Sequence, residues 1–193
     1  MRIVGGAWRG RAIEAPKGRE VSRPTTDRVR EAVASVVESA LHGGIEGARV
    51  LDAFAGTGAL GLEMLSRGAT HASFFDMDRR AVALVKRNLA SLDCESSRFQ
   101  VCCGDSVLFA RRGRMPGSPY DVVLIDPPYA LGTEPAEELL ASLDRNGFLS
   151  NGAVALFERV QSTPSLSVPG FEYLREKRYG QTCIDVLRYV PES

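Results

Sequence analysis

The run Tyr120-Asp121-Val122-Val123-Leu124-Ile125, followed at once by Asp126-Pro127-Pro128-Tyr129, constrains this 193-residue chain more than any other segment. A run of that composition has almost no face for water, so it reads as a central parallel strand covered on both sides. The two prolines fix their own φ and push Asp126 away from helical geometry. An acid, a proline carbonyl and an aromatic ring are then held at the carboxyl end of the strand, the edge where open α/β sheets bind ligands. A fixed acceptor beside a flat ring suits a planar substrate carrying an NH2 group. A Pro-Pro turn with an exposed acid fits the same four residues, so the rest of the chain must decide.

Strand and helix patterns alternate around that run. Arg49–Asp52, Ala72–Asp76, Phe99–Cys103, Tyr120–Ile125 and Ala153–Phe157 read as strands,. Helices are expected after the caps Thr25, Thr26 or Asp27, from the loop after Asp52 through about Ser66, after Asp78 with Ala81, Val82, Val85, Leu89 and Leu92 inward, and around 135–143,. Tyr173–Arg178 and Cys183–Tyr189 are too close for a parallel crossover and must form an antiparallel hairpin,. Arg2–Gly6 and Arg9–Ile13 read as two short strands turning near Gly5-Gly6, and Pro16–Pro24 as a polar connector,. The expected fold is a doubly wound, mostly parallel α/β sheet with an antiparallel C-terminal hairpin and a small N-terminal β-hairpin extension. Residues 1–24 form a basic arm and 25–193 the main domain.

The loop Asp52-Ala53-Phe54-Ala55-Gly56-Thr57-Gly58-Ala59-Leu60-Gly61 matches G-x-G-x-x-G through Gly56, Gly58 and Gly61. Asp76, followed by Met77, lies 20 residues beyond Gly56. That spacing is the dinucleotide fingerprint, so a nicotinamide oxidoreductase is a rival reading. Two acids favour S-adenosylmethionine. Asp52 would crowd a pyrophosphate but could pair with the ammonium of a methionine moiety. Asp105, with Ser106, ends the third strand where a carboxylate can accept from an adenine amino group. Asp76 would take the ribose hydroxyls. Asp78 reads as a helix cap and Glu63 as an ordinary exposed helix residue.

The formal net charge is zero, yet residues 1–30 carry eight cations against three acids, +5, leaving −5 for the remainder. Seven of the eight are arginine, whose planar fork matches phosphate,. Arg2, Arg9, Arg11, Arg23, Arg28 and Arg30, with Thr26, are the expected contacts to a polyanion, although Arg28 and Arg30 could equally salt-bridge on their helix. Cys94, Cys102, Cys103 and Cys183 lack metal-ligand spacing, so no metal is expected and reduced, buried, structural thiols are,. No apolar stretch approaches membrane-spanning length and no h-region follows Met1, so a cytoplasmic protein is expected. Nothing calls for more than a monomer.

The Gly-rich loop and Asp126-Pro127-Pro128-Tyr129 together resemble class I S-adenosylmethionine-dependent amino methyltransferases. Arg2-Ile3-Val4-Gly5-Gly6-x-x-Arg9-Gly10, Ser22-Arg23-Pro24-Thr25-Thr26-Asp27-Arg28-Val29-Arg30-Glu31 and Gly180-Gln181-Thr182 narrow the resemblance to the RsmD family, nearly end to end. It implies methylation of a guanine N2 in bacterial 16S ribosomal RNA, free or within the small subunit or an assembly intermediate. Asp76 stands where that family usually carries Glu, and the loop Arg111–Pro119 is not explained by it. Asp126 and the Pro127 carbonyl would then orient the target amine and Tyr129 would stack on the base. A DNA or RNA adenine-N6 or cytosine-N4 methyltransferase, and a noncatalytic RNA-binding factor, stay open beside this reading.

Overall fold

The computed structural model describes residues 1–15 and 27–191. The connector 16–24, the caps Thr25 and Thr26, Arg23 and the expected boundary after residue 24 lie outside the described residues. Seven strands, β1 (Arg49–Asp52), β2 (His71–Asp76), β3 (Phe99–Cys103), β4 (Tyr120–Ile125), β5 (Leu149–Val160), β6 (Phe171–Tyr179) and β7 (Thr182–Tyr189), make one sheet. Its order is β3-β2-β1-β4-β5-β7-β6. The first five strands run parallel; β7 enters antiparallel between β5 and β6. This is the expected doubly wound sheet with its antiparallel C-terminal hairpin.

Side-chain alternation assigns the two helical layers. Val50, Phe74, Leu124, Leu156 and Val186 face α1 (Asp27–Ala40), α2 (Ala59–Ser66) and α3 (Arg79–Ser91), meeting residues such as Val37, Leu62 and Val85,. Leu51, Phe75, Ile125, Phe157 and Leu187 face the other way, onto Ala110 of α4 (Ser106–Arg111) and Leu139, Leu140 and Leu143 of α5 (Glu134–Arg145). The central strands therefore have no solvent face, which is why their sequences are continuous apolar runs. The chain winds outward from β1 to β3 and returns at β4. Strand order thus reverses between β1 and β4, and their carboxyl ends open a crevice there,.

Several expectations are corrected. α4 was not foreseen: six residues give too little periodicity to see, and its start is set by the Asp105 side chain capping Val107 N–H at 2.9 Å,. β5 runs past the expected 153–157 at both ends, because β4 pairs with its start at Leu149 and β7 with Glu158, Arg159 and Val160. The two N-terminal strands reduce to a single antiparallel bridge, Arg2 to Ala12. Glu63 is not an exposed helix residue but fully buried, accepting from Val4 N–H (2.9 Å) and Gly5 N–H (2.8 Å) and pairing with Arg67 (2.9 Å). A buried carboxylate is tolerated only with such partners. With Ser66 Oγ donating to the Gly5 carbonyl at 2.6 Å, Glu63 fixes the hairpin on the back of α2, the helix that follows the Gly-rich loop. Gly6 must be glycine: φ is +73°, and a Cβ would sit 1.9 Å from the Ser66 carbonyl oxygen,.

The segment Arg111–Pro119 closes the amino end of the sheet. Its Pro116 carbonyl accepts from Ser73 Oγ (2.6 Å) and Tyr120 Oη (2.5 Å), and Arg49 Nε donates to the Gly117 carbonyl at 2.7 Å. Met115 is buried beneath it. Cys183 is buried and Cys94 and Cys102 half-buried, but Cys103 is exposed, contrary to expectation. It ends β3, where pairing stops. No described helix is long and apolar enough to cross a membrane.

Candidate active site

The crevice is a cleft of about 220 Å³ at the carboxyl ends of β1, β2, β3 and β4. Its walls include Phe54, Gly56, Asp76, Met77, Asp105 and Ser106 on one side and Asp126 and Pro127 on the other. These come from four separate strand ends that the crossovers bring together. Ala53, Gly104, Pro128 and Leu131 also line it; the sequence singled out Pro128 only as a brace for Asp126 and gave the other three no site role. They are apolar or backbone contributors with no chemical signature of their own.

The remaining cofactor candidates, Asp52, Ala55, Thr57, Gly58 and Gly61, do not line the cleft; they build the loop that does. Gly56 and Gly58 take φ of +53° and +79°, so the chain turns where other residues would be strained,. At Gly61 a Cβ would lie 2.4 Å from the Phe74 ring, so the start of α2 can press onto β2 only without one. Gly61 N–H donates to Asp52 Oδ2 at 2.9 Å, Ala55 N–H to the Phe75 carbonyl at 2.8 Å, and the Thr57 carbonyl accepts from Asn88 Nδ2 at 3.0 Å. Asp76 accepts from Gly56 N–H and Asp78 N–H, both at 2.8 Å, which ties the loop to β2. Each carboxylate oxygen can accept a second bond, so Asp76 can still meet a hydroxyl. Asp78 is a helix cap as expected, its side chain accepting from Arg80 N–H.

The electrostatics call for a cation. Asp52 is only 2% exposed. Burial pushes its pKa up to about 7, against the Gly61 N–H that pulls it down, and the charges of Asp126 and Asp76 add to the rise,. Because the folded value lies above the unfolded one, Asp52 contributes stability fully at pH below about 4 and loses it as pH rises through about 7,. The ligand-free protein should melt at progressively lower temperature between about pH 4 and pH 7,. Asp52→Asn, which still accepts from Gly61 N–H, should remove most of that slope; thermal melts across pH decide, and an unchanged slope would acquit Asp52. Ser106 Oγ is buried in the cleft wall with no hydrogen-bond partner among the described residues. An unsatisfied hydroxyl and converging carboxylates fit S-adenosylmethionine, which carries two cationic centres and polar adenosine atoms.

At the end of β4, Pro128 has φ −53° and ψ 130°, and a short 3-10 turn, Tyr129–Leu131, follows. Asp126 is half-buried and Pro127 buried, so the acid faces the cleft from a fixed backbone. The expected RNA arginines divide. Arg9 and Arg28 are exposed. Arg2 is exposed too but pairs with Asp27 at 3.1 Å. Arg11 caps the end of α3, donating to the Ser91 and Leu92 carbonyls and pairing with Asp93 at 2.9 Å,. Arg30 is 1% exposed, bonded to the Arg2 carbonyl and Asp27, and so is not available at the surface.

Known proteins agree with this geometry. The model of the family described as conserved hypothetical protein 95 matches residues 1–188. Ribosomal RNA small subunit methyltransferase D of Escherichia coli K12 is 37% identical over 182 residues, 94% of this chain and 86% of that protein. The Haemophilus influenzae protein of the same name is 32% identical, covering 93% and 89%. The solved structure of Escherichia coli yhhF superposes with a TM-score of 0.83 at 34% identity, covering 100% of this chain and 99% of the other. Sheet order, cleft and relatives are those of class I methyltransferases that use S-adenosylmethionine. The chain belongs to the conserved hypothetical protein 95 family, among the RsmD-like S-adenosylmethionine-dependent methyltransferases.

Proposed function

We propose that this protein is a cytoplasmic enzyme that methylates the exocyclic N2 of a guanine in 16S ribosomal RNA, free or within the small subunit or an assembly intermediate. The observation that carries the reading is Asp126, a carboxylate fixed by two prolines at the strand-order reversal and facing the cofactor cleft. The name shared by the Escherichia coli and Haemophilus influenzae relatives supports the ribosomal substrate.

S-adenosylmethionine, when bound, supplies an electrophilic methyl group on a positively charged sulfur. Asp76 would hold the ribose hydroxyls, Asp105 and Ser106 the adenine end, and Phe54 and Met77 the apolar faces of the adenosine. Asp52 supplies negative charge from behind Gly61. A guanine amino nitrogen is a weak nucleophile because its lone pair is spread into the ring. Asp126 and the Pro127 carbonyl accept its two N–H bonds, which orients the lone pair and favours density on nitrogen as the bond forms. Asp126 thus acts through transition-state electrostatics, with no requirement that it remove a proton first; the proton that the methylated amine must then shed would pass to Asp126 or to water. Tyr129 stacks on the base, which must be unpaired or flipped to enter.

Incubation with labelled S-adenosylmethionine and unmodified small-subunit RNA or subunits, followed by nucleoside identification, tests this. N2-methylguanosine is the expected product. N6-methyladenosine would replace the reading with an adenine amino methyltransferase.

A further inference from the structure

The motif Gly180-Gln181-Thr182 has no part in the cleft, yet the fold carries it to the same edge of the sheet. The last pair between β4 and β5 is Ile125 with Phe157, immediately before Asp126. β5 then continues for Glu158, Arg159 and Val160, held only by β7, with Val160 opposite Thr182 and Thr182 opposite Tyr179. Val160 stands two residues beyond Glu158, which is level with Asp126, so this end rises roughly 7 Å above Asp126,. The β6–β7 turn crowns it: Gly180 has φ +64° while Gln181 keeps a negative φ, the signs of a two-residue type II′ turn,. Gln161 N–H donates to the Gln181 carbonyl at 3.1 Å, closing the end of β5 onto the turn. The cofactor cleft lies on the β1 and β2 side of Asp126, and this wall stands on the opposite side.

The wall is stiff at its base and polar at its top. Within it Arg159 is gripped by Asp185 and Glu176 and buried. At the crest Gln161, Gln181 and Lys177 are exposed, and neither glutamine amide is hydrogen-bonded to a described residue. An amide both donates and accepts, as base edges and ribose hydroxyls require, and a lysine suits phosphate. We propose that this raised end of β5 with the β6–β7 turn is an RNA-contact wall, on which Gln161, Gln181 and Lys177 hold nucleotides flanking the target. The assignment rests on the RNA substrate proposed above; it adds the surface that presents that substrate.

The test places the photo-crosslinker p-benzoylphenylalanine at Gln181 and, as a control, at exposed Asn151, at the amino end of the same β5. With unmodified small-subunit RNA, position 181 should crosslink within a few nucleotides of the methylated base and position 151 should not. The double variant Gln161→Ala, Gln181→Ala should raise KM for RNA about tenfold, with the melting temperature and S-adenosylmethionine affinity unchanged. Equal crosslinking at both positions, no crosslink at 181 with an RNA that the wild type methylates, or an unaltered KM would overturn the wall. Crosslinking at 181 with a methylated base other than guanine would uphold the wall and overturn the guanine reading.

Discussion

Asp126→Ala should lower turnover by about 100- to 1000-fold while leaving S-adenosylmethionine affinity within a few-fold of wild type. The reason is positional. Asp126 sits at the end of the central strand, where its neighbours β1 and β5 are paired to the preceding residues, so the backbone stays in place when the carboxylate is removed. What disappears is the acceptor that orients an amine and stabilises charge as the new bond forms. Asp126→Asn keeps one carbonyl acceptor and should recover part of the loss. Single-turnover rates with equilibrium cofactor binding separate the two effects. Equal loss of both would make Asp126 a cofactor ligand, and normal turnover would remove it from the chemistry. One further consequence is electrostatic: the charge of Asp126 helps to raise the pKa of Asp52, so the alanine variant should shift the pH dependence of melting toward lower pH.

The largest effect on stability is expected at Asp185. This fully buried side chain on β7 accepts from Arg159 Nε and Nη2, both at 2.9 Å, from Leu166 N–H at 3.3 Å and from Tyr173 Oη at 3.0 Å. The hydrogen bonds and charge of Asp185 also push the pKa of Arg159 up, against the effect of burial, so Arg159 stays cationic. Asp185→Ala leaves that guanidinium buried with Glu176 as its remaining acid and strips the partner from two other donors. Breaking such a pair costs about 3–5 kcal/mol, or roughly 10 °C in melting temperature for a domain of this size. Replacing both charges at once, Arg159→Met with Asp185→Leu, should recover much of the loss, because no uncompensated charge remains. Melting curves of the single and double variants decide it. A double variant as unstable as the single would mean that packing, and not the stranded charge, sets the cost.

The candidate site was legible because its marks are local. Gly56 and Gly58 answer to the backbone conformations of their own turn, Gly61 to the close approach of Phe74 on the next strand, and Asp126 is placed by the two prolines beside it. Asp76 could be placed because it ends β2, and Asp105 because it follows the end of β3 by two residues; both strands have plain patterns. Arg30 makes the salt bridge on its own helix that the sequence allowed, to Asp27, but Glu63, Arg11 and Asn88 were illegible for the opposite reason. Their partners lie in segments far away in the chain: Glu63 takes the N–H groups of Val4 and Gly5, and Asn88 Oδ1 accepts from Glu14 N–H at 2.7 Å while its Nδ2 reaches the Thr57 carbonyl. A charged side chain on a helix carries no local mark of whether water or a docked hairpin will cover it. That distinction splits the basic N-terminal residues between surface cations such as Arg9 and structural ones such as Arg30.

Local patterning therefore decided the doubly wound sheet, the Gly-rich loop and the acid at the end of β4, since buried central strands must be apolar and turns must have residues their dihedrals allow. Docking decided the rest. Only the packed molecule buries Asp52 behind Gly61, converts an expected exposed Glu63 into an anchor, and extends β5 beyond Asp126 beside the β6–β7 turn. These depend on which surfaces exclude water from one another, and that is a property of contacts between distant segments.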